Sequence, residues 1–577
     1  MAVVVGISSG FHDSAAALVI DGVVIAAAEE ERFSRLKHDS GLPVEAVAHC
    51  LSAAGLTIDD VDHLVYYEKP LRKFGRLTVT TLRTFPRGLG QFVRAMGSWL
   101  GERLWLEGRL SKTFDIDPEK IGFSQHHLSH AASAFYTSPF DEAAVVTVDG
   151  VGEWATTGIF QGAGNTLTPL AELQFPHSMG LLYSALTAYL GFRVNEGEYK
   201  VMGLAPYGTP RFREAFAEFV QVADDATLTL DMRYFCFDRD PSRSFTKRLE
   251  TLLGPARAPE SELALDAATV DSESQRFADI AATLQAVCED YLLSLCDEAH
   301  RRTGSTRLCL AGGVALNCVA NGRIARESPF EEVHVHPAAG DAGGAIGAAL
   351  YASHGILDLP RAKTPLAPGL GQGFAPAEVT EFLTDCRIRF RRFDTDAELH
   401  DAVAARLADG EVGAWFQGRF EWGPRALGQR SILADPRQAE TRERVNRKIK
   451  FREPFRPFAP AVLADEASQW FALDPAEHLL SPSMLTVTAL TEAGRETLPA
   501  VCHVDGTARV QTVTAERSPD FHALLSAFKA QTGLGCLLNT SLNLRGEPIA
   551  TTPGEAYSVF ARSDLDFVVL EGCLVAA

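Results

Sequence analysis

The sequence has no Cys-x-x-Cys pair. Its ten cysteines, among them Cys50, Cys236, Cys309 and Cys536, are scattered along the chain. A thiolate-built metal site is therefore not expected, and the cysteines read as buried thiols of a reducing, cytoplasmic compartment. There is also no GxxxxGK[ST] loop, so a nucleotide would have to be held by other means. Positive charge is in deficit, with 54 Lys and Arg against 74 Asp and Glu and a net charge of -20. Phosphate-backbone binding needs a basic face, so no nucleic-acid partner is expected. Bulk charge does not exclude a local basic pocket. The opening MAVVVGISSGFHDSAAALVIDG carries no basic cluster, and His12, Asp13 and Asp21 interrupt its apolar run. It is expected to be neither a signal peptide nor a membrane span.

What is present is an ordinary globular composition over 577 residues, with 46% hydrophobic and 22% charged residues. That length predicts two or three domains, each burying its own core. Val3–Ile7 and Ala15–Ile20 read as strands, and an Asp21-Gly22 hairpin turn leads to a third run from Val23 to Ala28. AAVVTVDGVGEWATTGIFQG, residues 143–162, repeats the pattern of strand, acidic-glycine turn and strand, so an internal duplication is expected. In both copies an aspartate, Asp13 or Asp149, lies near the end of the first strand. This doubling resembles the actin-like ATPase fold, in which two ribonuclease-H-like halves each offer such a turn to a cleft.

LCLAGGVALN, residues 308–317, runs from strand through Gly312-Gly313 into a helix. Backbone amides there can approach a nucleotide closely, which makes Gly312, Gly313 and Asn317 candidates for cofactor contact. Residues 360–373, rich in Pro and Gly, read as a linker, with a domain boundary near residue 370.

Two constellations carry chemistry. In QHHLSHAASAF, His126 and His130 are four apart and share one face of a predicted helix. His127 could replace His126, since i and i+3 also share a face. Asp149 could supply a third ligand to a metal, and Asp341, in its Gly-rich turn, a fourth. Iron(II), manganese and zinc all suit two His with two carboxylates. The second constellation lies beyond residue 370 and concentrates cations beside Gly and Pro turns: Arg419, Arg425 and Arg430; Lys448, Lys450, Arg452 and Arg456; and Arg509, with Asn539, Ser541 and Asn543 nearby. Arg forks and Lys point charges in such loops suit phosphate oxygens.

Taken in order, GFHDSAAAL, AEEERFSRLKH, QHHLSHAASAF, VDGVGEW, EGEYKVMGLAPYG, LAGGVALN, GDAGGA, GRFEWGPRALGQRSIL, KFREPFRPFAP, ARVQT and NTSLN resemble the NodU/CmcH family of O-carbamoyltransferases over nearly the whole chain. The resemblance implies an α/β protein with an actin-like domain, residues 1–370, similar to the tRNA threonylcarbamoyltransferase. A YrdC-like α/β domain, residues 371–577, follows. It implies that ATP, with Mg2+, and carbamoyl phosphate give carbamoyl-adenylate in the second domain. The first domain, with Fe2+ in its cleft, would then pass the carbamoyl group to a hydroxyl of a small natural product, as in antibiotic biosynthesis. By motif, His126, His130, Asp149 and Asp341 would hold the metal. Lys450, Arg456, Arg509 and Ser541 would form the adenylation site, with Arg419, Arg425 and Asn539 beside it. His12 would be the acceptor-side base; Asp13 could orient it or bind polar groups of the acceptor. Glu196 and Lys200 could line the cleft or form a plain salt bridge. No membrane partner is expected, and a homodimer is compatible with the reading.

Three rivals are carried. A tRNA-modifying fusion shares both domains but is opposed by the acidic balance. A hydrogenase-maturation enzyme would carry Cys-x-x-Cys motifs. An actin-like scaffold would need neither constellation. The stretches 66–109 and 229–269 match no motif strongly; the first could wall an acceptor pocket or be a helical insertion.

Overall fold

The computed structural model describes residues 1–86, 88, 90, 92–93, 96, 105–240, 242–265, 271–362 and 365–577. Parts of the 66–109 and 229–269 stretches, and Lys363 and Thr364, lie outside the described residues.

The β-branched run Val3–Ser8 is buried along its whole length, as suits a strand covered on both faces. It pairs antiparallel with Ala15–Ile20, which pairs antiparallel with Val23–Glu29. On its other side it pairs parallel with His63–Tyr66, and that strand with Ile121–Phe123. In chain order within the sheet, the spatial order is 3-2-1-4-5. The second sheet repeats this. Glu142–Val148, Ala155–Ala163 and Thr166–Gln174 form an antiparallel meander, and Arg307–Ala311 and Glu332–Val335 extend the first strand's other side in parallel. The duplication read from sequence is thus a duplication of whole sheets. The equivalent turns are those joining each sheet's first two strands, which carry His12 and Asp13 in one copy and Asp149 in the other. Asp21-Gly22 makes the next turn and has no part in that pairing.

Two helices pack on each other between the sheets: Asp341–Leu350 lies against the first sheet and His126–Thr137 against the second. Their small residues make the fit. A Cβ at Gly347 would overlap the carbonyl of Ser129, and one at Gly6 would overlap the carbonyl of Ala345. The helix Ser272–Thr303 covers the second sheet. Asp271 caps its first turn by accepting from the Ser274 amide at 2.6 Å, and Gly304, at φ 64°, closes it.

Strands from Arg391 to Ala576 form a separate eight-stranded mixed sheet with its own core around Trp415, Phe416 and Leu537. The Pro/Gly-rich stretch before it is not a free tether. The Leu370 carbonyl accepts from Ala27 N at 3.2 Å, and the Pro368 carbonyl accepts from Trp422 N at 2.8 Å, so the strap is bonded to both halves. Most cysteines are buried thiols, but Cys386 is exposed. Among the described residues no helix is long and apolar enough to cross a membrane.

Candidate active site between the two halves

A cavity of about 1060 Å3 lies where the sheets of both halves meet. At one end it is walled by His12, Asp149 and Asp341, and at the other by Arg425, Arg456, Arg509 and Asn539.

Beneath the first end, His126, His130, Asp149 and Asp341 offer ligand atoms that all lie within 4.8 Å of one another. His126 Nε2 is 3.1 Å from His130 Nε2 and 3.1 Å from an Asp149 oxygen. His130 Nε2 is 3.6 Å from an Asp341 oxygen and 3.8 Å from Asp149. Four donors converging in a buried pocket fit a cation. Two are neutral-capable nitrogens and two are carboxylates, the donor set of a transition-metal or zinc centre. Burial disfavours charge on His126, yet its hydrogen bonds to Asp149 and Glu68 and the field of Asp341 push its pKa up to about 10. A cation would discharge that tension by displacing the proton.

The choice between His126 and His127 is made by the fold. His127 faces the neighbouring strands, where its Nδ1 accepts from the Thr147 hydroxyl at 2.7 Å and its Nε2–H donates to the Ala155 carbonyl at 3.0 Å. Two further carboxylates, not read from the sequence, support the cluster. Glu153 accepts from the His126 and Lys69 amides. Glu68 approaches His126 Nδ1 at 3.7 Å and is held by Lys73 at 2.8 Å. Glu68 is buried, but Lys73 and His126 pull its pKa down to about 2. Its only sequence signal is an acid closing the strand His63–Tyr66.

The glycine junction serves the same cluster. Gly313 donates to Asp149 Oδ1 at 3.1 Å. Gly312, at φ 93°, sits where a Cβ would overlap the Val148 carbonyl, and it packs behind the cavity rather than lining it. Asn317 does reach the cavity, but its amide is engaged, capping the helix Cys318–Glu327 through Ala320 N and exchanging two hydrogen bonds with Gln285 at 3.0 Å.

His12 Nδ1–H donates to Asp13 at 2.9 Å, and the other Asp13 oxygen accepts from His38 Nδ1 at 2.6 Å. Asp13 holds φ 51°, a left-handed conformation that a short polar side chain tolerates. Burial opposes charge on His12, but Asp13 and then the fields of Asp341 and Asp149 push its pKa up to about 9. His38, the last residue of the AEEERFSRLKH motif, thus shares Asp13 with His12.

At the cationic end the predicted residues divide. Arg425, Arg456 and Arg509 line the cavity, and no carboxylate pairs with Arg425 or Arg509 among the described residues. Burial and the neighbouring Arg509 push the Arg425 pKa down to about 9. Lys450 lines the cavity too, but its ammonium is enclosed. It lies 2.7 Å from the Ser541 carbonyl, 2.8 Å from the Asn543 carbonyl and 2.7 Å from Asn543 Oδ1. Its protons hold the Ser541–Asn543 turn, so Lys450 shapes the pocket from behind instead of offering a bare point charge. Arg419 is not in the cavity. Its guanidinium binds the Gly371, Leu370 and Ile25 carbonyls, tying the strap to the first sheet. Arg430 is buried over the Phe416 ring at 3.5 Å, and Lys448 points outward toward Asp564. Glu196 and Lys200 both line the cavity, paired with Lys37 at 3.3 Å and Glu453 at 3.1 Å. The spacing GxSxG occurs at Gly6–Gly10, but Ser8 is fully buried in its strand and cannot act as an exposed nucleophile.

The geometry defines an α/β enzyme with a metal-fit cluster and an anion-fit cluster sharing one cavity. Comparison with known proteins names the class. Residues 3–350 match the model described as Carbamoyltransferase N-terminus, and residues 404–577 match Carbamoyltransferase C-terminus. The chain belongs to the carbamoyltransferase family. It is 46% identical to an uncharacterized protein of Synechocystis sp., over 99% of this chain and 96% of that one. It is 38% identical to the nodulation protein NolNO of Sinorhizobium fredii, over 98% of this chain and 79% of that one. With the 3'-hydroxymethylcephem-O-carbamoyltransferase of Amycolatopsis lactamdurans it shares 41% identity over 42% of this chain and 43% of that one. These relatives place it with the NodU/CmcH-type O-carbamoyltransferases, and it is a transferase.

Proposed function

We propose that the protein uses ATP, with Mg2+, and carbamoyl phosphate to make carbamoyl-adenylate at the arginine end of the cavity, and then carbamoylates a hydroxyl of a small molecule at the histidine-aspartate end. In this reading residues 371–577 form a YrdC-like adenylate-forming domain and residues 1–370 an actin-like transfer domain. The observation that carries it is the shared cavity, with Arg425 and Arg509 free of carboxylate partners among the described residues at one end and a four-ligand cluster at the other. A reactive mixed anhydride made and spent in one enclosed space is shielded from water.

The first stage balances as follows. Water releases phosphate from carbamoyl phosphate, leaving carbamate. A carbamate oxygen attacks the α-phosphorus of ATP and pyrophosphate leaves. Both substrates are polyanions, and Arg425, Arg456 and Arg509 are poised to bind them and offset charge developing on the pentavalent phosphorus. Asn539 donates through Nδ2 to Gln511 Oε1 at 2.8 Å and to the Ala426 carbonyl at 3.1 Å, while Gln511 donates to the Leu427 carbonyl at 2.8 Å. That chain fixes the Asn539 amide with its buried Oδ1 unpaired, an acceptor suited to a carbamoyl N–H.

In the second stage the acceptor oxygen attacks the carbamoyl carbon and AMP leaves. His126, His130, Asp149 and Asp341 would hold the family's iron(II), which would supply Lewis-acid polarisation of an oxygen when bound. His12, aligned by Asp13 and His38, is placed to take the hydroxyl proton. The proton on His12 is favoured first by its hydrogen bond to Asp13 and then by the fields of Asp341 and Asp149, and a cation held by those two carboxylates would offset the second part.

The test is pyrophosphate release from ATP and carbamoyl phosphate without RNA. Release supports the reading. Release only with tRNA favours a tRNA-modifying enzyme, and none at all favours a nucleotide-binding scaffold.

A further inference from the structure

The loop that carries Arg425 is gripped from outside its own sheet. Within the C-terminal half, the Glu421 side chain is fully buried, and its Oε1 accepts from the amides of Leu427 and Gln429 at 2.8 Å and of Arg430 at 3.0 Å. That carboxylate fixes the far end of the loop. The near end is fixed by the other half of the protein. Gly423 N donates to Glu29 Oε1 at 3.0 Å, and the Gly423 carbonyl accepts from Arg32 Nη2 at 2.8 Å. Arg32 Nε faces the second Glu29 oxygen at 3.3 Å, which closes the arrangement into one ring of charge-assisted hydrogen bonds. Both side chains are buried, with Arg32 2% exposed and Glu29 6% exposed. Gly423 holds φ 99°, and a Cβ there would press to 3.0 Å on the Pro337 carbonyl, four residues before Asp341. The peptide at residue 423 is thus seated in the N-terminal half, two residues from a guanidinium that faces the shared cavity.

An Arg side chain buried with one carboxylate and one peptide carbonyl is a directional device. Breaking it leaves buried polar groups unpaired, which costs more than the bond is worth intact. The segment that supplies it has further grips on the C-terminal half. Arg35 donates to the Pro548 and Ile549 carbonyls at 2.9 Å, just beyond the Ser541–Asn543 turn that Lys450 holds.

We propose that Glu29 and Arg32 are positioning residues for Arg425, so that the phosphate-reading end of the cavity is assembled only against the N-terminal half. This rests on the adenylate-forming reading above. The consequence is that a defect in the actin-like half, far from the cations in sequence, weakens ATP use.

The experiment uses the full chain. Arg32→Lys and Arg32→Met are compared with wild type for carbamoyl-phosphate-dependent pyrophosphate release over a range of ATP, and for hydrogen exchange of the peptide covering residues 420–430. Loss of a charge-assisted fork predicts a rise of about tenfold or more in KM for ATP, with kcat changed by a smaller factor. It also predicts faster exchange confined to 420–430. Arg32→Lys keeps the charge but not the fork, so its KM also rises. An unchanged KM for ATP in a folded Arg32→Met protein overturns the proposal. If Arg32→Met does not fold, the same measurement on Arg32→Lys decides. If wild type itself releases no pyrophosphate, the adenylation reading fails, and exchange alone judges the clamp: unchanged protection of 420–430 in Arg32→Lys overturns it.

Discussion

The Nε2 atoms of His126 and His130 stand 3.1 Å apart, with their rings nearly perpendicular at 73°. One turn of helix separates the two residues, and both side chains are buried. Ligand atoms around one cation with bonds of ~2.1 Å lie about 3 Å from each other. The same separation between two imidazoles, flanked by Asp149 and Asp341, fits the edge of a coordination shell.

Removing one of those ligands therefore separates the two chemical stages. His130→Ala is expected to lower bound metal at least tenfold, measured by elemental analysis after dialysis against iron(II), and to stop transfer. Pyrophosphate release should persist, because the arginine cluster is untouched. Loss of pyrophosphate release in a folded His130→Ala protein would refute the division of labour between the two ends.

The complementary change acts at the other end. Arg509→Ala is expected to reduce adenylate formation by a hundredfold or more, on the order of one lost charge-stabilising group at a reacting phosphate. Transfer from preformed carbamoyl-adenylate should survive to a larger degree. Pyrophosphate release measured beside a transfer assay with supplied intermediate separates the two.

His12 should titrate high in metal-free protein. Its pKa is pushed up to about 9 from 6.5, so the folded state holds the proton more tightly than the unfolded chain. The stability it lends is full below about pH 6.5 and is lost as pH rises toward 9. Asp13→Asn removes the main raising partner and should bring His12 down by a unit or more, read by NMR of the imidazole. A His12 that titrates near 6.5 in both proteins would contradict the geometry.

Lys450 should prove structural as much as catalytic. Burial, Arg452 and Arg456 push its pKa down, and its Nζ donates to the oxygens of Ser541 and Asn543. Lys450→Met removes the donor to the Ser541 and Asn543 carbonyls, leaving Asn543 Oδ1 only the Ser541 hydroxyl at 2.7 Å, and should destabilise the protein by roughly 1–3 kcal/mol. Chemical denaturation measures this. A variant with wild-type stability and lost activity would restore Lys450 to a purely chemical role.

Much of the site was legible because its parts are local. The i, i+4 spacing in QHHLSHAASAF marks a shared helical face, and alternating strand and turn signals mark both hairpins. What failed was any choice that depended on which way a side chain points. His126 and His127 are adjacent, and only the strand beside them, with Thr147 and Ala155, selects one for the cavity. Arg419, Arg430 and Arg425 lie in one Gly-rich run, yet two are spent on carbonyls and an aromatic ring and one faces the cavity. Composition treats the three alike, because a guanidinium satisfies a buried carbonyl as readily as a phosphate.

By itself, then, the chain's order of residues determined the repeated strand-turn-strand units, the histidine face and the presence of an arginine-rich half, since each follows from periodicity or local conformation. Only the tertiary structure decided that the two clusters share one cavity and that Glu29 and Arg32 grip Gly423, nearly 400 residues away. Contacts of that range are set by how two independently cored sheets dock, and no local pattern encodes docking.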